Sequence, residues 1–289
     1  MVSASNPYID KFYYFDKNID SLIRELREEK YDYVIDLHKN FRSLKIKNTL
    51  NVPSHTIDKL TLQKFLLTRL SINVMPRRHI TQRSLDAVLP LGVQDDGLGL
   101  DYYIPAGDVV LPADIPTSHH AGFIALVIGG SYYTKKLPVD KLQELCSKVE
   151  HPVILLGGNE DSATGNMIAS VDPVKVYNAA GKFNLNESAD LVRQSKLVVS
   201  HDTGLQYIAC AFSKPVLALW GGTSPKLQVE PYYGSSMKSN SLYENIFLNL
   251  SCQPCSNYGT KTCPLEHFNC MRKQDIDAIV SRIHNRIGK

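Results

Sequence analysis

The sequence predicts an α/β protein built on doubly wound parallel sheets and divided into two domains. Three observations point there. Short, β-branched apolar runs alternate with amphipathic stretches of helical period. Each apolar run breaks into a small or polar loop, as a buried strand does when its carboxyl end opens onto a helix. Between Tyr103 and Gly122 the pattern dissolves into Pro105, Gly107, Pro112, Pro116 and Ser118-His119-His120, which marks an interdomain linker. The 289 residues suffice for two cores, and the break divides them into an N-terminal domain, 1–117, and a C-terminal domain, 118–289.

The elements follow in order. Asn18 to Lys30 reads as a helix with Asn18 as its cap and Ile19, Leu22, Ile23 and Leu26 on one face. Tyr31 to Leu37 is a strand that ends in a polar loop, His38-Lys39-Asn40-Phe41-Arg42-Ser43. A further helical stretch holds Leu62, Phe65, Leu66 and Leu70. After the linker, Phe123 to Ile128 is a buried strand running into Gly129-Gly130-Ser131. Pro138 to Val149 is a helix, and Pro152 to Leu156 is a strand running into Gly157-Gly158-Asn159-Glu160. Val174 to Tyr177 makes a short third strand, Leu185 to Arg193 a helix. The last helix, Asp275 to Ile287, carries Ile276, Ile279, Val280, Ile283 and Ile287 as one stripe.

The stretch Leu197 to Pro225, LVVSHDTGLQYIACAFSKPVLALWGGTSP, is the most informative. An apolar run, a polar loop, an amphipathic segment and a second apolar run read as a βαβ unit, which places Asp202, Thr203 and Gly204 at the crevice. Free N–H groups and a positive dipole end suit an anion there; the plainer reading makes Asp202 a helix cap.

Bulk properties exclude several classes. A formal charge of +3 is too small to argue for nucleic acid, and no apolar run approaches the roughly 20 residues that span a bilayer. MVSASNPYIDKFYYFDK has no apolar signal region, so the expected location is the cytoplasm.

The same stretch resembles glycosyltransferase family 9, the ADP-heptose:lipopolysaccharide heptosyltransferases. HDTGLQYIACAFSKPVLALWGGTSP matches that family's Asp-Thr-Gly-Leu turn, helix, Lys-Pro step and strand ending in Gly-x-Thr-x-Pro. The resemblance implies a GT-B fold of two facing Rossmann-like domains. It also implies inverting transfer of heptose from ADP-heptose to a lipid-linked lipopolysaccharide core, met peripherally at the inner membrane face, with no cofactor. In that family, residues like Asn6-Pro7-Tyr8-Ile9-Asp10 follow a further strand, a Gly-Asp loop carrying the proposed catalytic base, and a helix. The first domain is therefore expected to be incomplete and the chain at best a weak transferase, with a non-catalytic nucleotide-sugar binder as the alternative. Another GT-B reaction, such as sugar-nucleotide epimerisation, is a third reading.

Site residues come from both sources. A lysine after a strand can place its ammonium on a diphosphate as the nucleotide departs, and Lys135 stands three residues before Pro138 as in the family's Lys-x-Trp-Pro, with Leu137 in place of Trp. The alternative is a solvated loop lysine. Ser131 falls where the family presents a hydroxyl to the phosphates. Glu160 maps onto the family's Gly-x-Glu, a carboxylate able to accept from sugar hydroxyls, or is a first-turn residue favoured by the dipole. Phe183 maps to a position beside the base, or is core packing. Asp202, Thr203, Gly204 and Leu205 complete the donor turn, and Tyr207 replaces a His of many relatives. His38, Asn40 and Arg42 face the cleft if the domains pair as in GT-B enzymes; His38 reads better as a solvated loop residue. Cys252, Cys255, Cys263 and Cys270 follow C-x2-C-x7-C-x6-C, a fair spacing for zinc; the expectation favours reduced thiols and no metal.

Overall fold

A computed structural model describes residues 4–15, 17–235 and 241–288. Met1 and Lys289, the outer ends of the two predicted domains, lie outside the described residues. The N-terminal part runs α1 (Ile19–Glu28), β1 (Val34–Asp36), α2 (Phe41–Leu50), β2 (Ser54–Thr56), α3 (Thr61–Leu70) and α4 (Ile80–Asp86). Asn18 caps α1 by accepting from the N–H groups of Asp20 and Ser21. β1 and β2 form a two-stranded parallel sheet, with Val34 opposite Ser54 and Asp36 opposite Thr56.

The stretch read as a polar loop, His38 to Ser43, is in fact the entry into a helix. Asn40 accepts from the Ser43 N–H, and the Ser43 hydroxyl accepts from the Asn40 N–H. This reciprocal box puts Phe41, Arg42 and Ser43 in the first turn of α2. Two N–H groups, of His38 and Lys39, close on the Asp36 carboxylate, and the Lys47 ammonium lies 3.0 Å from it. Burial alone would raise its pKa; those partners hold it down at about 2.

The C-terminal part runs β3 (Ile124–Val127), α5 (Val139–Lys148), β4 (Val153–Leu156), α6 (Ser162–Ala169), β5 (Val176–Asn178), α7 (Leu185–Gln194) and β6 (Leu197–His201). It continues through α8 (Gly204–Ala211), β7 (Val216–Leu219), β8 (Tyr243–Ile246), α9 (Asn269–Arg272) and α10 (Ile276–Ile287). Its strands make one parallel sheet in the order β5-β4-β3-β6-β7-β8. Alternate residues feed two cores. Ile124, Leu126, Val153, Leu155, Val199 and Leu217 join Leu142, Leu145 and the α10 stripe on one face. Ala125, Val127, Ile154, Leu156, Val198 and Ala218 join Leu191, Val192 and Ile208 on the other. Burial on both faces is why these strands read as unbroken apolar runs.

The segment expected to be a linker is anchored. Val110 and Ile115 are buried in the second of these cores. Val110 donates its N–H to the buried Asp190 and accepts from the Gln194 side chain, both at 2.9 Å. Prolines and three short 3₁₀ turns removed the periodicity that would have shown this packing. The N-terminal part meets the other through α4: the Ile80 N–H donates to Gln228, and His79 stacks on Tyr232 with ring centroids 4.7 Å apart. Burial pushes the His79 pKa down to about 4, so the neutral ring donates from Nε2 to the Glu230 carbonyl and accepts the Thr81 N–H at Nδ1.

Ile279 is fully buried where α10 covers the sheet. Ile279→Ala is expected to cost about 2–5 kcal/mol of unfolding free energy; a urea titration with an unchanged midpoint would contradict the packing described.

Candidate functional site

Numbered within its own sheet, the C-terminal order is 3-2-1-4-5-6, so the chain reverses direction across the sheet between β3 and β6. Loops leaving the carboxyl ends of those two strands diverge and leave a crevice between them. A cavity of about 650 Å³ occupies that place. Its lining includes all nine residues singled out in the sequence: Ser131, Lys135, Glu160, Phe183, Asp202, Thr203, Gly204, Leu205 and Tyr207.

The cavity is shaped by close backbone approach. A Cβ on Gly129 would lie 2.8 Å from the Asp161 carboxylate, and one on Gly157 2.9 Å from the Asp161 Cβ. The loops after β3 and β4 thus close around Asp161, which is buried, accepts the Gly158 N–H and lies 3.2 Å from the Lys136 ammonium. Across the cavity, Lys135 Nζ lies 2.8 Å from Asp202 Oδ2, both largely shielded from solvent. Adjacent lysines thus have separate assignments: Lys136 braces the β4 loop, and Lys135 crosses to the β6 loop.

Asp202 is not the cap of α8. The cap position belongs to Thr203, whose side chain does not bond to the helix; its hydroxyl lies 3.2 Å from that of Ser200. The amino end of an eight-residue helix therefore opens into the cavity without a side-chain oxygen upon it. Tyr207, one turn along, donates to the Val229 carbonyl at 2.7 Å, and burial raises its phenol well above the usual range. Its hydroxyl is engaged with the protein, and its ring forms the wall. Phe183 both lines the cavity and packs on the core. Glu160 is exposed, in a 3₁₀ turn that leads into α6.

Sequence reading missed His201. It is fully buried, and its Nε2 accepts the Leu137 N–H at 2.9 Å. Leu137 is itself buried in the core, so this one bond ties the turn carrying Lys135 and Lys136 to the end of β6. Burial, then the charges of Lys136 and Lys135, push the imidazole pKa down to about 3. The signal was present as a His closing an apolar strand, but a histidine beside Asp reads first as polar loop. Asp161 was missed similarly, hidden behind Glu160.

His38, Asn40 and Arg42 do not line this cavity. Asn40 caps α2, and Arg42 lies over the Phe15 ring at 4.9 Å. Asp36 is equally occupied. The six cysteines are free, and among the described residues no group of three or more His, Cys, Asp or Glu is arranged to hold a metal ion. Burial, then its cysteine neighbours, raise the Cys270 thiol to about 12.

Comparison with known proteins gives this arrangement a family. The sequence model of glycosyltransferase family 9 (heptosyltransferase) matches residues 19–267. Lipooligosaccharide heptosyltransferase 2 of Haemophilus influenzae is 39% identical over 90 residues, which is 30% of this chain and 26% of that protein. Lipopolysaccharide heptosyltransferase 2 of Salmonella typhimurium is 25% identical over 223 residues, covering 69% of this chain and 62% of its own length. The chain thus spans from about a quarter to under two thirds of these relatives. Among solved structures, a family 9 glycosyltransferase of Veillonella parvula superposes with a TM-score of 0.74 at 19% identity, covering 99% of this chain and 85% of that one. Heptosyltransferase II of Escherichia coli gives 0.63 at 16% identity, covering 93% and 80%. These likenesses show the GT-B fold.

The buried imidazole has a measurable signature. The folded pKa of His201 lies below its unfolded value, so the unfolded chain binds the extra proton between about pH 6.5 and 3. Stability therefore falls as pH drops through that window, with His79 acting in the same sense. His201→Gln is expected to remove up to about 1.4 kcal/mol per pH unit from the slope between pH 6.5 and 5. Denaturant titrations giving identical slopes for the two proteins would contradict the assignment.

Proposed function

The chain belongs to glycosyltransferase family 9, and from that premise we propose that it transfers heptose from ADP-heptose to the saccharide core of a lipopolysaccharide-type acceptor, with inversion at the anomeric carbon. The observation that carries this reading is the convergence of the nine residues singled out in the sequence, Tyr207 among them as a departure from the family pattern, on one cavity at the switch point of the sheet, with Lys135 and Asp202 paired across it. In this reading residues 118–289 hold the donor and residues 1–117 form the acceptor side. The relatives do not favour the alternative of a binder without turnover.

The chemistry follows from charge. A diphosphate entering the cavity meets the open amino end of α8 and the Lys135 ammonium. Two phosphoryl groups outcompete one carboxylate for that ammonium, so Lys135 turns from Asp202 to the leaving group. Negative charge grows on the diphosphate as the glycosidic bond breaks, and a preformed cation and dipole stabilise the transition state more than the ground state. Asp202, released from the lysine, accepts hydrogen bonds from the donor sugar. Ser131 donates to a phosphate, Glu160 accepts from the ribose, and Phe183 and Leu205 give the base an apolar contact. Asp36 does not serve as the general base in this reading, because its buried carboxylate, bonded by two backbone N–H groups and paired with Lys47, has its pKa held down at about 2. The acceptor is lipid-linked and met peripherally at the cytoplasmic face of the inner membrane; among the described residues no helix is long and apolar enough to cross it.

Calorimetry with ADP tests the donor site. Lys135→Ala is expected to weaken ADP binding by about 1.5–3 kcal/mol, the range for a charged hydrogen bond; unchanged affinity would sink the role. Asp202→Ala is expected to leave ADP binding intact or tighter, because it frees Lys135, while weakening ADP-heptose. An equal fall for both ligands would show that Asp202 shapes the loop and does not touch the sugar.

A further inference from the structure

A second concavity, about 450 Å³, lies between α3 and the loop 255–264. Helix α3 supplies Thr61, Phe65 and Arg69, and the loop supplies Asn257, Tyr258 and Thr260. Phe65 and Tyr258 are 53% and 64% exposed, an uncommon state for two large aromatics that share one crevice. The Oδ1 of Asn257 is buried there without a hydrogen-bond partner. Arg69 has no ion-pair partner among the described residues, and the same holds for the Thr61 hydroxyl's hydrogen bonding.

We infer that this crevice is a binding subsite for an anionic saccharide of the acceptor. Exposed aromatics suit the apolar C–H faces of a sugar ring, the unpartnered Asn257 amide oxygen and the Thr61 hydroxyl suit its hydroxyl groups, and the unpaired Arg69 guanidinium suits a carboxylate or phosphate on it. Position supports the assignment. The loop wall packs directly behind the turn that carries Lys135: Thr134 donates its N–H to the Thr260 carbonyl at 3.2 Å, and the Thr134 hydroxyl accepts the Thr260 N–H at 2.8 Å. A Cβ on Gly259, which has a φ of +93°, would lie 2.8 Å from the Lys135 Cγ, so the loop packs closely on the lysine turn. The crevice therefore lies against the turn that carries Lys135, where α3 of the N-terminal part meets the C-terminal part. The cysteine segment gains a task as well. Cys255 lines the crevice, and its N–H is held by the Gly222 carbonyl at 3.0 Å.

The identity of the occupant rests on the transferase reading above. Calorimetric titration of the full chain with a lipid-free core oligosaccharide released from lipopolysaccharide tests it, with a neutral malto-oligosaccharide of similar length as the comparison and ADP as the control. The native chain is expected to bind the core oligosaccharide and not the neutral one. Arg69→Gln and Tyr258→Ala, both at exposed positions and checked by their melting temperatures, are each expected to weaken that binding by about tenfold or more, with ADP affinity unchanged. Absence of binding by the native chain, equal binding of the neutral sugar, or indifference to both substitutions would each overturn the inference. Failure of ADP to bind the native chain would instead overturn the donor reading, and the oligosaccharide result would stand apart from it.

Discussion

In an all-parallel sheet every strand must end on the same edge, and each return to the starting edge must be made by a crossover. That constraint governs the C-terminal half of this protein. Its six strands run one way, and the order turns outward from β3 and β6. Consequently the loops after β3, β4 and β6 open side by side, although their residues lie far apart in sequence. The cavity is not carved into the fold; it is the gap that this topology leaves. Residues from 127 to 207 reach it because of strand order, and the packed cores on both faces keep the edge rigid enough to hold them.

Electrostatics complete what topology begins. Two lysines adjacent in sequence are pulled to different carboxylates, Lys136 to the buried Asp161 and Lys135 to Asp202. A neutral, buried His201 holds the turn that presents both. The backbone bond it accepts needs an unprotonated Nε2, and the neighbouring ammonium groups reinforce that state. The site therefore sets its cations in place before any ligand arrives, at the cost of a histidine that resists protonation far below its usual range.

Much of this was legible in the sequence. Strands buried on both faces read as apolar runs, and the α10 stripe and the Asn18 cap read directly. The Asp-Thr-Gly-Leu stretch, the glycine loops and the lysine before Pro138 named the cavity residues. The failures share a physical cause. Asn40 opens a helix whose first turn exposes Phe41 and Arg42, so periodicity starts late. Val110 and Ile115 anchor a proline-rich segment by isolated contacts that no period reveals. The engagement of Asp202 with Lys135, and of Tyr207 with Val229, depends on residues brought together only by the fold. A single sequence shows which groups can ionise or donate, and not which partner has already claimed them.

The central claim is that the crevice at the ends of β3, β4 and β6 is a nucleotide site belonging to the C-terminal half alone. Amide hydrogen exchange followed by mass spectrometry, with and without saturating ADP, tests it most directly. The account predicts slower exchange in peptides covering 129–137, 157–161 and 202–207, with α2 unchanged. Slowed exchange confined to the N-terminal part, or none in the three loops while ADP is bound, would contradict it.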